Sequence, residues 1–224
     1  MPRYLRTTGE KTPTIPSLSL RSPQKDKKNT NKPIPNPDLL NRLKGREYVF
    51  LVDDSLSMNP HWENVLEVFE ALLYIVKTAD PNGLDLHFTV SEDNCLNCKE
   101  TTALIRMVRN RMRRSTIDMN IRLIALLQAY QKKLSKKKAL FSATVRPMNL
   151  YILTDGVWEA ETNVEDPIRS LVQTLNEKRM GRLQVGIQFI YFGDNQKALE
   201  RLEHLDSRLG LDPYVWSRCI CRSC

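Results

Sequence analysis

After Arg46 the chain alternates between two apolar rhythms, one suited to buried strands and one to helices. Tyr48-Val49-Phe50-Leu51-Val52 is a continuous apolar run, the pattern of a strand covered on both faces. Asn59-Pro60 then signals a helix start, and Trp62, Val65, Leu66, Phe69, Leu72, Leu73 and Val76 follow at helical spacing. Leu84 to Thr89 reads as the next strand and Thr102 to Arg113 as a helix. A longer helix over 118–135 carries Leu123, Leu126, Leu127, Tyr130 and Leu134 on one face. Asn149-Leu150-Tyr151-Ile152-Leu153 repeats the buried-strand pattern, and Asp166-Pro167 opens a helix to Arg179. Val185 to Phe192 is a further buried strand, and residues 195–209 form an amphipathic helix. Strands separated by helices predict an α/β fold, a doubly wound, mostly parallel sheet flanked by helices.

Residues 1–45 break this pattern. They are rich in Pro, Lys, Ser, Thr and Asn, and Arg21 to Pro37 has too little to bury to offset its chain entropy, so a disordered tail is expected. Leu39, Leu40 and Leu43 hint at a short docking turn. The charge follows the same boundary. Residues 1–46 hold 11 Lys and Arg against three acids, whereas the remainder holds 23 of each sign. The formal charge of +8 and the pI of 9.3 therefore describe the tail and not a specific nucleic-acid-binding face. At 41% hydrophobic residues, the 224-residue chain has enough for one real core. The expected division is a basic tail over 1–45, a domain over 46–216 and a Cys-rich tail over 217–224. No apolar run approaches the ~18 residues a membrane helix needs. The start, Met-Pro-Arg-Tyr-Leu-Arg, lacks the apolar segment of a secretory signal. An intracellular protein, cytoplasmic or nuclear, is expected, with its five cysteines mostly reduced.

In open parallel sheets, ligands bind outside the carboxyl ends of the strands. After the first strand comes Asp53-Asp54-Ser55-Leu56-Ser57, and after the strand at 149–153 comes Thr154-Asp155-Gly156. Between them, Arg114-Ser115-Thr116 immediately precedes a helix. These segments offer only carboxylates and hydroxyls, a set suited to a hard cation such as magnesium, which takes about six oxygens. Alternate residues of an extended-to-turn segment can point Asp53, Ser55 and Ser57 inward. Hydroxyl ligands donate little charge, so a cation held by them stays electrophilic toward a partner's carboxylate.

Asp-x-Ser-x-Ser closing the first strand, a Thr before a mid-domain helix and Thr-Asp-Gly after a later strand resemble the pattern of the von Willebrand factor type A domain, over residues 46–212. The resemblance implies a metal-ion-dependent adhesion site. Ser55, Ser57 and Thr116 would be near ligands, with Asp53 and Asp155 binding directly or through water. The metal would be Mg2+, with Mn2+ or Ca2+ as alternatives. The function implied is that of a non-enzymatic module that takes an acidic residue of a protein partner. Phe50 to Trp62, with His61-Trp62 opening the first helix, looks most like the intracellular fungal versions of the domain. The chain departs from the family at Leu56, where Gly is usual, and at Arg114-Ser115, where the family's Thr usually follows Gly. The family also closes its sheet with a last strand and helix. Tyr214-Val215-Trp216 could be that strand, but Ser217 to Cys224 cannot form the helix, so the C-terminal end reads as incomplete.

Other readings compete. A degenerate scaffold of the same fold would bind partners without metal. Asp53 and Asp54 also resemble the acidic pair of a Mg2+-dependent phospho-receiver, which needs an acceptor Asp at the end of a later strand, near residue 98. The chain reads Asn94-Cys95-Leu96-Asn97-Cys98 there. Hydrolase chemistry lacks a base paired to Ser55 or Ser57, and His61, His87 and His204 sit beside no nucleophile motif. Arg106, Arg109, Arg111, Arg113 and Arg114 form either a solvated helix face or a basic rim that steers an acidic partner. Cys95, Cys98, Cys219, Cys221 and Cys224 could supply thiolates to zinc, but nothing fixes their approach, and free thiols are the preferred reading.

Overall fold

The computed structural model describes residues 41, 43–80, 82–114, 119–135, 145–181 and 183–207, all within the compact unit Asn36–Cys224. Among them, β1 (Glu47–Val52), β2 (Leu84–Phe88), β3 (Asn94–Cys98), β4 (Met148–Thr154) and β5 (Val185–Tyr191) form one sheet in the order β3-β2-β1-β4-β5. β1 runs parallel to β2 and β4, and β4 parallel to β5, while β3 is antiparallel to β2. The helices are α1 (Trp62–Val76), preceded by a 3-10 turn over Leu56–His61, α2 (Thr101–Arg109), α3 (Met119–Ser135), α4 (Glu165–Glu177) and α5 (Gln196–Ser207). The expected tail, apart from Asn41 and residues 43–45, lies outside the described residues. So do Tyr214-Val215-Trp216 and the Cys-rich end.

The strand runs are continuously apolar because both faces of the sheet are covered. From β1, Val49 and Leu51 enter a core shared with Leu123 and Leu127 of α3, Ile168 and Leu171 of α4 and Leu202 of α5. Tyr48, Phe50 and Val52 enter a second core with Val65, Phe69 and Leu73 of α1 and Leu104 and Val108 of α2. Phe50 lies edge-on to Phe69 at 5.2 Å and is stacked near Tyr151 at 5.3 Å. Leu43 packs against this second core, and its carbonyl accepts the Tyr48 hydroxyl at 2.6 Å. Side chains also set helix starts. Asn163 Oδ1 accepts from the amides of Glu165 and Asp166 at 3.0 and 3.2 Å, and Asn195 Oδ1 from that of Ala198 at 3.1 Å.

Three local expectations change. β3 is a strand that the apolar pattern does not announce, because its polar residues lie at the sheet's edge. The α-helix after β1 begins at Trp62, since Asn59-Pro60 belongs to the 3-10 turn. α2 stops at Arg109 with Asn110 as its C-cap, where Arg113 was expected, and Arg111 turns back toward Asp54 at 3.5 Å and Asp93 at 2.6 Å.

From β1 the chain moves outward through β2 and β3 on one side, and β4 and β5 fill the other. The β1–β4 boundary is therefore the point where strand order reverses, and a crevice opens beyond their carboxyl ends.

Candidate metal centre

Asp53 leaves β1 and Asp155 leaves β4 at that crevice. The Asp53 amide still donates to the Leu153 carbonyl at 2.9 Å, so strand pairing extends to the first acid. Asp53, Ser55 and Asp155 are buried and Ser57 is half-buried. The Ser55 amide folds back onto Asp53 Oδ1 at 3.1 Å, an Asx-type turn. The Ser55 and Ser57 hydroxyl oxygens are 3.0 Å apart. The Ser57 side chain hydrogen-bonds the Asp155 carboxylate, whose Oδ1 also accepts the Val157 amide at 3.0 Å. Burial pushes the Asp155 carboxyl above its ordinary value. The Val157 and Ser57 hydrogen bonds oppose that shift, and the Asp53 charge reinforces it. Asp53, Ser55, Ser57 and Asp155 are thus brought together, while Thr116 lies outside the described residues.

Two threonines that the motif does not single out hold Asp53. Thr154 Oγ1, fully buried at the end of β4, donates to Asp53 Oδ2 at 2.7 Å. It accepts the Gly156 amide and the Trp158 indole N–H, each at 3.0 Å. A hydroxyl has one hydrogen and two lone pairs, so with both lone pairs taken the hydrogen points at the carboxylate. Thr89, just past β2, donates to Asp53 Oδ1 at 3.1 Å and faces Asp54 Oδ1 at 3.3 Å with the same hydrogen. The only sequence hint was position, since both threonines close parallel strands beside β1.

Asp54 turns the other way. Its Oδ1 accepts the Val90 amide at 2.8 Å, and Arg111 approaches its Oδ2 at 3.5 Å. Burial raises its carboxyl, opposed by the Val90 and Ser91 amides and by Arg111. The arginines match neither sequence reading as a group. Arg111 is enclosed over Phe88, and Arg113 bonds Asn59 at 2.7 Å and lies over Trp62. Arg109 pairs with Glu70 at the surface.

Leu56 fits without backbone strain. It lies in the 3-10 turn with its side chain 51% exposed, and among the described non-glycine residues only Asn97 and Arg179 have positive φ. Gly156 does need to be glycine. Its φ is +66°, and a Cβ there would meet the Ala198 Cβ of α5 at 2.9 Å.

The donor set fits a hard cation. Asp53 and Asp155 are two buried carboxylates, and among the described residues neither forms an ion pair; His61 is the smallest influence on Asp155. Among the described residues no three His, Cys, Asp or Glu side chains converge, so a cation here depends on the serine hydroxyls.

No protein-family model matches the chain, and no curated protein matches it by sequence. Among solved structures it is similar to proximal thread matrix protein 1 from the mussel byssus, at 11% identity and a TM-score of 0.45 over 79% of this chain and 44% of that one. A structure of that protein with a zinc-occupied MIDAS motif gives 13% identity and a TM-score of 0.45, with the same shares of the two chains. The manganese-loaded TRAP protein of Plasmodium vivax gives 14% identity and a TM-score of 0.43 over 78% of this chain and 69% of that one. The chain thus spans less than half the length of the mussel protein.

Proposed function

We propose that the chain is a von Willebrand factor type A interaction domain whose cation is held by Asp53, Ser55, Ser57 and Asp155, with Thr116 supplied from outside the described residues. The observation that carries this reading is the pair of buried carboxylates facing two serine hydroxyls, neither carboxylate in an ion pair with a described residue. Two carboxylates balance one doubly charged ion, and Mg2+ suits the all-oxygen set, with Mn2+ and Ca2+ as alternatives. When bound, the ion supplies an electrophilic position that an acidic residue of a protein partner completes. The chain's own residues do the rest. Thr154 and Thr89 keep Asp53 aimed, the turn after β1 presents both serines, and half-buried Ser57 opens the site to solvent. The reading is of a binding module and not an enzyme, because among the described residues no histidine hydrogen-bonds Ser55 or Ser57. An intracellular placement of the fungal type belongs to the same proposal and rests on the resemblance over Phe50 to Trp62.

Calorimetric titration of Mg2+ into the full chain should show one saturable site, weakened ~10–100-fold in Asp53→Ala. Equal heats from wild type and variant would remove the metal from the reading. One observation favours a second, metal-independent reading, because Asp53 already accepts three hydrogen bonds from Ser55, Thr89 and Thr154. In that case partner capture survives both excess chelator and Asp53→Ala. A phospho-receiver site is disfavoured because Asp54 is already engaged by Arg111 and the Val90 amide.

A further inference from the structure

The edge strand β3 carries a feature unrelated to the crevice. Cys95 and Cys98 are half-buried free thiols, and both pack against the core on the α1–α2 face. Residues three apart on a regular strand point to opposite faces and lie about 10 Å apart at ~3.3 Å per residue. The register here differs. Cys98 pairs with Leu84 and Cys95 with Leu86, so three steps of β3 span two of β2. The extra residue is absorbed at Asn97, whose φ is 51° and whose amide donates to Asp85 Oδ1 at 2.7 Å. Gly83 makes room for it, since a Cβ there would meet the Asn97 carbonyl carbon at 2.3 Å. The bulge turns both sulfurs to one face and shortens the Cys95–Cys98 separation to that of a two-residue step, roughly 6.6 Å between Cα atoms. That falls within the ~4.4–6.8 Å that a disulfide spans. The two thiols are close enough for Cys98 to raise the Cys95 thiol.

We infer that Cys95 and Cys98 form an oxidisable dithiol, a modification site that closes to an intramolecular disulfide by exchange with a small disulfide such as glutathione disulfide. A Cys98 thiolate displaces one sulfur of the oxidant, which leaves a mixed disulfide and one released thiol. The Cys95 thiolate then attacks the Cys98 sulfur and expels the second oxidant thiol. Two protein S–H bonds are lost and one S–S bond forms, while the oxidant's S–S bond is reduced to two thiols. Burial and the Cys98 sulfur push the Cys95 thiol up to about 11, which suits it to the second, intramolecular step, where proximity compensates for a small thiolate fraction. Among the described residues no third His, Cys, Asp or Glu converges on the pair.

Trypsin cleaves after Lys77 and Lys99, and the peptide Thr78–Lys99 contains both cysteines and no other. The full chain is oxidised with glutathione disulfide at about pH 8, blocked with iodoacetamide and digested without reductant. The expected peptide lacks two hydrogens and carries no alkyl group. Cys95→Ser should stop at a glutathione adduct on Cys98. A doubly alkylated wild-type peptide, one carrying two glutathiones, or a cross-link to Cys219, Cys221 or Cys224 overturns the proposal. An alkylated, adduct-free Cys98 in the variant overturns the order of steps.

Discussion

Replacing Thr154 with valine removes one oxygen at nearly constant volume. That oxygen is fully buried and has three partners, Asp53 Oδ2 at 2.7 Å and the N–H groups of Gly156 and Trp158, each at 3.0 Å. Valine leaves two donors without an acceptor and strips a donor from a buried carboxylate. Each orphaned buried polar group costs about 1–3 kcal/mol, so three partners sum to ~3–9 kcal/mol. The lower end applies if water reaches the indole of half-buried Trp158. Thr154→Ser keeps the oxygen and loses one methyl group, about 1 kcal/mol. The contrast between the two variants is therefore the test. Urea unfolding followed by tryptophan fluorescence should place Thr154→Val ~2–8 kcal/mol below Thr154→Ser, out of a typical total of ~5–15 kcal/mol. If both variants lose the same amount, the hydroxyl is not the hub and the cause is packing alone. The valine variant should also bind Mg2+ more weakly, because Asp53 loses the hydrogen that fixes its Oδ2.

Three further outcomes are expected. Arg111→Met leaves Asp54 buried without its cation and should cost ~2–4 kcal/mol, with much of it recovered in the Asp54→Asn, Arg111→Met double variant; additive losses in a denaturation cycle would contradict this. Burial holds His87 below the ordinary histidine value, Arg122 adds to the shift and Asp85 opposes it. On acidification the unfolded chain therefore takes up the proton first, and stability should fall as pH drops below about 6.5. His87→Gln should flatten that slope, as read from chemical denaturation at a series of pH values, and an unchanged slope would assign the acid sensitivity elsewhere. Asp53→Asn keeps one acceptor oxygen for Ser55 and Thr89 but sets an NH2 group against the Thr154 hydroxyl hydrogen, so it should lower the melting temperature in chelator and abolish any rise caused by Mg2+; a variant that Mg2+ still stabilises like wild type would rule Asp53 out.

Much of the fold was legible because burial on two faces leaves a coarse signature. β1, β4 and β5 are apolar runs since Val49 and Leu51 face one core and Tyr48, Phe50 and Val52 the other. β3 was not legible, because an edge strand covered on one side needs few apolar residues and its bulge breaks the alternation that a reader would count. The end of α2 was misplaced for a related reason. The arginines after Arg109 have high helix propensity, and only the tertiary pairing of Arg111 with Asp54 and Asp93 ends the helix there. At the crevice, Asp53, Ser55, Ser57 and Asp155 follow from strand ends and alternation. Thr89 and Thr154 did not, because a threonine closing a strand is unremarkable until the neighbouring strand's carboxylate is known to lie beside it.

The two adjacent acids after β1 face opposite electrostatic situations. Asp54 is buried on the side of α2 and is supplied with Val90 N–H and the Arg111 guanidinium, so its charge is balanced inside the fold. Asp53, on the crevice side, receives only neutral donors, the Ser55 amide and the hydroxyls of Thr89 and Thr154. Neutral donors orient a carboxylate without cancelling its charge. The Asp155 carboxylate lies across the crevice, likewise oriented by Val157 and Ser57 and likewise without an ion pair among the described residues. Rigid orientation combined with unbalanced charge is a costly arrangement for a closed interior. It becomes favourable once a cation from solution can enter, and half-buried Ser57 marks the side from which one would.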